Sequence, residues 1–330
     1  MFAVVMKGIC HLEYEDFPYP VPGDDEVLID IYASGICGSD MHRYTGEEPI
    51  KNTKNVCGHE LGGTVLATGK NIKNLKIGQK VTVNPKGSCG ECRFCKAGLG
   101  YLCMKPYSTK AMTEQFTARE KQCVVMPDDF DLLYAPMVEP AAAAIHVTRG
   151  IEKQKVVLFG LGPVGLFVLQ MLVKQGNEVV ACDISEDSLK NALDFGAAAA
   201  VDLKAEDANE QILEKLGGEP PMWILDGVGI SQTLERALEL CEKRGTVRIF
   251  GASRINIDFN CRKALLKEIR VESSYIFEED DYRAMAEMFA KGEIRYKELV
   301  AKVFPLTQAK EAFEYKRTHA CGKVLLKHKD

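Results

Sequence analysis

The chain of 330 residues lacks a concentration of positive charge. It contains 42 lysine and arginine residues against 47 aspartate and glutamate residues, and its net charge of -5 is spread along the sequence. A nucleic-acid-binding surface needs clustered basic side chains that neutralise phosphates. The absence of a basic stripe therefore predicts that nucleic acid is not a partner.

An uninterrupted membrane-spanning segment is also missing. The longest apolar run, 156–173, contains three glycines and a proline between positions 160 and 165, which fits a buried strand followed by a buried helix better than a span. The first sixteen residues have no basic region ahead of an apolar core, so they lack the pattern of a secretory signal. These absences predict a cytoplasmic protein without a membrane partner.

Cysteine, in contrast, is abundant, with twelve residues. In a reducing cytoplasm, clustered cysteines indicate metal binding, and scattered ones are ordinary small buried residues. We give the second interpretation to Cys10, Cys57, Cys123, Cys182, Cys241, Cys261 and Cys321.

Four of the remaining cysteines lie in one short loop, SCGECRFCKAGLGYLC (88–103). Thiolates two residues apart can reach the same tetrahedral ion, and a further thiolate eight positions later completes a set of four. Such a site has no open coordination position, so it predicts a structural zinc and not a reaction centre. An iron–sulfur cluster or redox thiols are the alternatives. The four residues are Cys89, Cys92, Cys95 and Cys103.

The pattern of apolar and turn-forming residues changes twice along the chain. Up to about residue 140, short β-branched runs punctuated by glycine, proline and asparagine predict an irregular β-rich domain. After Ala141, apolar strands alternate with helical periodicity, which predicts a parallel sheet covered by helices. From about Ser273 the pattern shifts again, and spacing alone leaves open which domain this segment joins.

A second set of metal-capable side chains lies outside the cysteine loop. Cys37 stands in CGSDMH, His59 and Glu60 in GHELGG, and Glu139 in MVEPAAAAIH. One thiolate, one imidazole and two carboxylates fit an open zinc site. Taken alone, Cys37 is more often a small core residue and His59 more often a hydrogen-bonded structural histidine. For the set of four, sequence spacing leaves the metal-binding and the structural interpretation open.

A glycine-rich loop follows the strand pattern KVVLF. The segment GLGPVG has the spacing GxGxxG, precedes a helical pattern, and leads after 18 residues to Asp183 at the end of NEVVACD. Strand, loop, helix, strand and terminal acid together predict a dinucleotide site in which Asp183 binds the adenosine ribose and favours NAD over NADP. The alternative for Asp183 is a turn acid ahead of a helix. The loop residues are Gly160, Gly162, Pro163, Val164 and Gly165.

Taken in order, CGSDMH, GHE, the four-cysteine loop, VEP and GLGPVG with Asp183 resemble the pattern of the zinc-dependent medium-chain alcohol dehydrogenases. The resemblance covers essentially the whole chain and is greatest to the polyol (sorbitol) and threonine dehydrogenase branch. It implies an α/β fold with a GroES-like β-rich catalytic domain, 1–144 and 273–330. A Rossmann coenzyme domain with a doubly wound parallel sheet would occupy 145–272.

The resemblance also implies roles for individual residues near the open site. Cys37 and His59 match the first two ligands of the catalytic zinc. Glu60 matches a glutamate that binds the metal directly or stands just behind it. Glu139 takes the place of the third protein ligand and would bind zinc directly or through water, while Asp40 matches the acid that orients the histidine ligand.

Two further residues of the same segment receive implied roles, and Arg43 is a distinctive cation beside them. Ser39 matches the hydroxyl that hydrogen-bonds the substrate alcohol, and His42 matches the histidine that passes the proton to solvent. Arg43 is a cation close to the substrate pocket, with a solvated surface arginine as the alternative. The stretch between Cys103 and Pro127 spans only 23 residues, and SSYIF (273–277) stands where polyol dehydrogenases carry an arginine. These departures bear on the substrate and not on the reaction.

The implied function is the reversible oxidation of a secondary alcohol of a polyol, sugar or cyclitol to a ketone. Two Zn(II) ions per chain, one catalytic and one structural, and NAD(H) are the implied cofactors, and the partners are the small-molecule alcohol and ketone. A homodimer or homotetramer is expected. A threonine, amino-alcohol or diol dehydrogenase is the nearest alternative, and a non-catalytic NAD-binding zinc protein is the alternative from another class.

Overall fold

A computed structural model describes residues 1–50, 55–106, 109–251, 256–319 and 322–329 of the chain. The chain divides into two compact units: Met1–Ala142 with Phe277–Asp330, and Ala143–Ile276. The sequence placed the corresponding boundaries at 144 and 273, and the role expected of each domain stays a prediction.

Ten of the sixteen strands of the described residues lie in the first unit, and the other six form the sheet of the second. In the described ranges they are β1 (Phe2–Gly8), β2 (His11–Asp16), β3 (Glu26–Gly35), β4 (Asn55–Val56), β5 (Glu60–Thr68), β6 (Lys80–Val83), β7 (Gln115–Arg119), β8 (Cys123–Val125), β9 (Lys155–Phe159), β10 (Glu178–Asp183), β11 (Ala199–Asp202), β12 (Trp223–Asp226), β13 (Thr246–Ile249), β14 (Arg270–Ser273), β15 (Val300–Pro305) and β16 (Lys323–Lys327).

Both units contain helices. Within the same ranges they are α1 (Gly38–Tyr44), α2 (Arg93–Lys96), α3 (Val138–Thr148), α4 (Pro163–Lys174), α5 (Glu186–Asp194), α6 (Ala208–Lys215), α7 (Ser231–Leu240), α8 (Cys261–Lys267), α9 (Glu279–Ala290) and α10 (Ala309–Thr318).

The first unit is built on two sheets. The smaller one has the order β2-β1-β4, and the larger one has the order β15-β16-β3-β5-β6-β8 with β7 also paired to β3. Strand β16 lies antiparallel to β3, so the C-terminal segment that spacing left unassigned forms part of this sheet. Alternate residues of β3, Val27, Ile29 and Ile31, are fully buried and contribute to the core, as expected of a strand with one face on the interior.

The second unit contains the parallel sheet that the alternation of apolar strands and helices predicted. Its order is β11-β10-β9-β12-β13-β14, and each of these strand pairs is parallel. Starting from β9, the order reads 3-2-1-4-5-6, the arrangement of a doubly wound dinucleotide-binding sheet. The strand order changes direction at β9, and such a change leaves a crevice at the carboxyl ends of the strands. The glycine-rich loop begins at the carboxyl end of β9.

The cysteines outside the metal-binding candidates have mixed positions. Every cysteine of the described residues is free. Four of the seven scattered ones are buried as predicted: Cys57, Cys123, Cys182 and Cys241. The prediction is wrong for Cys10 and Cys261, which are exposed because one lies in the turn between β1 and β2 and the other begins α8. Cys321 lies outside the described residues.

No helix of the described ranges combines the length and the apolarity that a bilayer span requires. Gly160 and Gly162 separate β9 from α4, so the longest apolar run consists of a strand and a helix.

A histidine of the last segment, His328, is held between strand β3 and the segment that precedes β7. The His328 ring contacts the Thr113 carbonyl oxygen through Nδ1 at 2.9 Å and Ser34 Oγ through Nε2 at 2.8 Å. Because a carbonyl only accepts, Nδ1 carries the proton of the neutral ring and Nε2 accepts from the Ser34 hydroxyl. Burial lowers the pKa of His328 to about 3.

We expect part of the protein's stability to disappear as the pH falls from about 6.5 toward 3, because His328 protonates in the unfolded chain first. In that window the unfolded state binds more protons than the folded state, so the free energy of unfolding decreases with decreasing pH. Between pH 7 and pH 5 the effect of His328 should be about 1–2 kcal/mol. Urea unfolding at both pH values should show a smaller loss in His328→Gln than in the wild type. The exposed His11 offers the control His11→Gln, and an equal loss in all three proteins would contradict the prediction.

Candidate metal centres and nucleotide-binding loop

The open-site candidates are brought together by the pairing of β3 with β5. Cys37 directly precedes α1 after the end of β3, and His59 and Glu60 stand at the start of β5. In the antiparallel register Gly35 is opposite Glu60. Strand pairing therefore places the CGSD and GHE motifs side by side, although 17 residues separate them.

Three of these side chains form one compact group. The Cys37 thiol sulfur, a His59 ring nitrogen and a Glu60 carboxylate oxygen all lie within 4.8 Å of one another. Glu139, near the start of α3, is outside that group, with its Oε1 4.0 Å from His59 Nε2. The structure thus unites Cys37, His59 and Glu60, and places Glu139 beside the histidine ring.

Negative charge dominates the surroundings of His59. Burial alone would lower the pKa of His59, but the Cys37 thiolate, Glu139 and Asp40 hold it well above its usual value. Burial and the neighbouring Glu60 raise the pKa of Glu139, whereas His59 opposes the rise. Such a concentration of anionic and neutral donors suits a bound cation.

Asp40 lies behind the group and is almost completely buried, with 1% of its surface exposed. Its Oδ2 accepts a hydrogen bond from the Cys37 amide at 3.0 Å and lies 4.0 Å from His59 Nδ1. Its Oδ1 accepts from the Gly58 amide at 3.3 Å. Asp40 therefore ties the two ligand-bearing segments together, a position suited to orienting His59.

The Arg43 side chain is occupied by contacts within its own segment. Its Nε donates to the Ser39 carbonyl oxygen at 3.3 Å, and its guanidinium lies 3.7 Å from both Asp40 and Glu48. These contacts make Arg43 a partner of the Asp40 carboxylate. A substrate contact by Arg43 stays a prediction.

The candidate proton-transfer residues, Ser39 and His42, lie on the short helix α1 and are both partly exposed. The sequence did not indicate that His42 has a carboxylate partner: its Nδ1 lies 2.6 Å from Glu47 Oε2. Thr45 donates to the other Glu47 oxygen at 3.0 Å. This contact with Glu47 leaves His42 Nε2 as the ring atom available for proton transfer.

A lysine from the last strand was also missed. Lys323, at the start of β16, reaches the interior of the first unit and contacts Glu60 Oε1 through its Nζ. Burial alone would lower the pKa of Lys323, but Glu60 and the Cys37 thiolate raise it above its usual value. The only sequence signal was a lysine directly before the apolar centre of the strand KVLLK.

The four-cysteine loop forms a second compact group of donors. The sulfurs of Cys89, Cys92, Cys95 and Cys103 all lie within 4.8 Å of one another. Three pairs are separated by 3.4 Å, 3.8 Å and 4.0 Å, close to the edge of about 3.8 Å that a tetrahedron with 2.3 Å zinc–sulfur bonds has. Backbone hydrogen bonds from Met104 and Cys95 lower the pKa of Cys92 to about 6, which favours the metal-binding thiolate.

The glycine-rich loop connects β9 to α4 in the second unit. Gly160 has a φ of 86°, in the left-handed region, and Pro163 and Val164 open the helix, with Gly162 just before it. A Cβ at Gly165 would lie 2.0 Å from the Gly160 carbonyl oxygen, so only glycine fits there. The backbone amides of the first turn of α4 are thereby available to a phosphate group.

Asp183 ends β10 and holds this loop through backbone hydrogen bonds. Its Oδ2 accepts from the Leu161 amide at 2.6 Å, and its Oδ1 accepts from Ile184 and Ser185 at 2.7 Å and 3.0 Å. The turn role left open by the sequence is therefore present. A ribose contact remains compatible, because each carboxylate oxygen has two lone pairs, and it stays a prediction.

Comparison with known proteins agrees with this geometry. Residues 23–128 match the model of the alcohol dehydrogenase GroES-like domain, and residues 163–291 match that of the zinc-binding dehydrogenases. D-arabitol-phosphate dehydrogenase of Enterococcus avium is 31% identical over 322 residues, which cover 93% of this chain and 91% of that protein. The chain belongs to the zinc-binding alcohol dehydrogenase family. It is accordingly an oxidoreductase that acts on a small molecule, with the predicted GroES-like and Rossmann fold.

Other members of the family match over almost their whole length. Sorbitol dehydrogenase of Bombyx mori is 29% identical over 346 residues, with 98% of each chain covered. Among solved structures, an Escherichia coli alcohol dehydrogenase complexed with NADH has a TM-score of 0.90 at 25% identity, with 99% of each chain covered. A zinc-binding dehydrogenase from Sinorhizobium meliloti bound to NADP has a TM-score of 0.92 at 26% identity, also with 99% of each covered.

Proposed function

We propose that this protein catalyses the reversible, zinc- and NAD-dependent oxidation of a secondary alcohol of a polyol, sugar or cyclitol to a ketone. The observation that carries the proposal is the single compact group formed by Cys37, His59 and Glu60. Three protein ligands leave a coordination position for substrate, as a catalytic zinc requires. The names of the relatives, a sorbitol and an arabitol-phosphate dehydrogenase, support a polyol as the substrate class.

The donors present fit zinc at both sites. Sulfur, imidazole and carboxylate are zinc ligands, and Glu60 Oε2 is buried without a hydrogen-bond partner among the described residues, so it has a lone pair available for a cation. Four thiol sulfurs near tetrahedral spacing fit a closed zinc site in the cysteine loop. We therefore propose two zinc ions per chain, one catalytic and one structural.

Each residue of the open site has a part in the proposed reaction. Zinc at the Cys37–His59–Glu60 group supplies a Lewis acid that lowers the pKa of the alcohol. Ser39 Oγ would accept the proton of the substrate hydroxyl and release its own hydroxyl proton in the direction of His42 Nε2. Glu47 holds the opposite ring nitrogen, which keeps Nε2 free to take up the proton and release it to solvent.

The glycine-rich loop and Asp183 are the proposed nucleotide site. NAD supplies the hydride acceptor. The amides at the start of α4 would bind the pyrophosphate, and Asp183 would accept hydrogen bonds from the adenosine ribose. Its carboxylate would repel a 2′-phosphate, which supports a preference for NAD.

Asp183→Ser is expected to lower the ratio of kcat/KM with NAD to kcat/KM with NADP by about tenfold or more. A tenfold change corresponds to about 1.4 kcal/mol of discrimination between the two nucleotides. Serine retains an acceptor for the turn amides but removes the charge that repels the 2′-phosphate. Steady-state rates with both nucleotides measure the ratio. Glu178→Ser removes a carboxylate from the opposite end of the same strand and should leave the ratio unchanged. An unchanged ratio in Asp183→Ser would mean that Asp183 acts only in the turn.

We also propose that the chain forms a homodimer, or a homotetramer built from such dimers, through the edge strand β14. All four residues of β14 are exposed, and Leu265 and Leu266 on the preceding helix are 75% and 68% exposed. Antiparallel pairing of two copies about Val271 would bring Arg270 opposite Glu272 of the second copy, a favourable pair of opposite charges. Light scattering should therefore give a mass of at least two chains, and a mass of 36.5 kDa would contradict the proposal.

The experiment that tests the function combines metal analysis with turnover. Mass spectrometry should find two zinc ions per chain, and NADH absorbance should rise with at least one member of a panel of polyols, polyol phosphates, cyclitols and amino alcohols. Turnover restricted to amino alcohols would replace the proposed substrate class. Zinc only in the cysteine loop and no turnover would instead favour the non-catalytic alternative.

We also propose a cytoplasmic location for the protein. The proposal rests on the cysteines of the described residues, none of which is in a disulfide.

A further inference from the structure

We propose that Lys323 is a positioning residue that makes Glu60 a direct, single-oxygen ligand of the catalytic metal, and that Gly35 provides the space for this arrangement. The inference rests on the proposed function in one respect: a metal must bind the group of Cys37, His59 and Glu60.

The two oxygens of the Glu60 carboxylate have different surroundings. Oε1 is contacted by Lys323 Nζ, whereas Oε2 is buried and has no hydrogen-bond partner among the described residues. A carboxylate is an acceptor on both oxygens, and leaving one buried acceptor without a partner is unfavourable. No side chain of the described residues donates to Oε2, so a bound cation would give this buried oxygen its missing partner.

The contact between Lys323 and Glu60 is buried. The Glu60 side chain is 0% exposed and that of Lys323 5% exposed. A buried charge pair is stable only when its geometry is good and its remaining polar atoms are satisfied. Because Lys323 satisfies one side of the carboxylate, it restricts rotation of the group and leaves Oε2 for the metal.

Gly35 determines whether this arrangement fits. It faces Glu60 across the β3–β5 pair, and a Cβ at Gly35 would lie 1.9 Å from Glu60 Oε2 and 3.0 Å from Lys323 Cε. Gly35 does not have a positive φ, so glycine is required here for space and not for backbone freedom. Any larger residue would displace the Glu60 carboxylate.

The competing arrangement is that Lys323 neutralises Glu60 and keeps it behind the metal. The two arrangements predict changes of opposite sign when Lys323 is replaced. If Lys323 directs Oε2 toward the metal, its loss lets the carboxylate turn away and weakens zinc binding. If Lys323 withholds Glu60, its loss frees a carboxylate and strengthens zinc binding.

Lys316 on α10 provides a matched control for the loss of positive charge. It lies close enough for its charge to act on Cys37, Asp40 and Glu60, but it makes no hydrogen bond to Glu60. Lys316→Met therefore measures the effect of removing a nearby charge alone. The difference between Lys323→Met and Lys316→Met isolates the contact with Glu60.

The test measures zinc affinity by chelator competition on the full-length protein, with Co²⁺ absorption at the same site as a second readout. Lys323→Met should weaken zinc binding by about 10- to 100-fold relative to Lys316→Met, the range for loss of a residue that orients a ligand. Its cobalt d–d bands should shift in the same direction as those of Glu60→Gln. Lys323→Arg, which keeps a charged donor, should restore most of the affinity.

Zinc in the four-cysteine loop reports that each variant is folded. If Lys323→Met does not fold, Gly35→Ala keeps every charge and should still weaken zinc binding by displacing Glu60. Equal or tighter zinc binding in Lys323→Met than in Lys316→Met would overturn the inference. In that case polyol turnover by the wild type would leave the proposed function intact, whereas a wild type without metal at Cys37 would mean that the function itself had failed.

Discussion

Cys37→Ser is expected to lower polyol turnover by at least about a thousandfold, which corresponds to about 4 kcal/mol in the activation barrier. The substitution removes the sulfur ligand that Cys37 contributes beside His59 and Glu60. A bound cation then keeps only nitrogen and oxygen ligands, which are harder donors than sulfur, and is held less tightly. Bound zinc should fall from two ions per chain to about one. NADH binding should persist, because the glycine-rich loop belongs to the other structural unit.

The matched control is Cys10→Ser, which changes an exposed free cysteine of the same unit. It should retain both metals and full turnover. Metal content by mass spectrometry and NADH binding by fluorescence separate loss of the site from loss of the fold. Full activity of Cys37→Ser with a single zinc would refute the mechanism centred on this group.

Cys103→Ser is expected to lower stability instead of removing only turnover. Loss of one thiolate from a closed four-sulfur site weakens metal binding, and the metal-linked part of the folding free energy disappears with it. We expect a loss of about 3–5 kcal/mol in the free energy of unfolding and about one zinc fewer per chain. Urea unfolding followed by circular dichroism, together with metal analysis, measures both effects.

Cys123→Ser is the control for this second prediction, because Cys123 is as buried as Cys103 but lies outside both groups of donors. It should lower stability through packing alone and leave the metal content unchanged. At a temperature where Cys103→Ser remains folded, turnover should be largely preserved. A variant that folded with wild-type stability and lost only turnover would show that the four-cysteine loop takes part in the reaction.

Much of the candidate site could be read from the sequence where a local pattern restricts the chemistry. The spacing of Cys89, Cys92 and Cys95 restricts where their sulfurs can lie, and the structure groups those sulfurs with that of Cys103. The glycine pattern beginning at Gly160 follows a strand and opens a helix, as predicted. For Cys37 and His59, local spacing left two interpretations open, and the grouping became an expectation only through the family resemblance.

Other parts of the site depend on residues that are distant in sequence. Lys323 reaches Glu60 from 263 positions away, and nothing near either residue indicates the contact. Gly35 looks like an ordinary strand-ending glycine until the register places it opposite Glu60. The exposed position of Cys10 likewise depends on a turn whose residues do not distinguish it from a buried cysteine.

The sequence by itself determined the β-rich and parallel-sheet character of the two domains, the grouping of the four cysteines and the position of the glycine-rich loop between a strand and a helix, because each depends on periodicity or spacing within a short stretch of chain. Only the tertiary structure decided that β16 pairs with β3, that Glu60 has one oxygen on Lys323 and one free, and that Asp183 holds the glycine-rich loop. These arrangements arise from strand register and burial. Register joins segments hundreds of residues apart, and local sequence patterns carry no record of such partners.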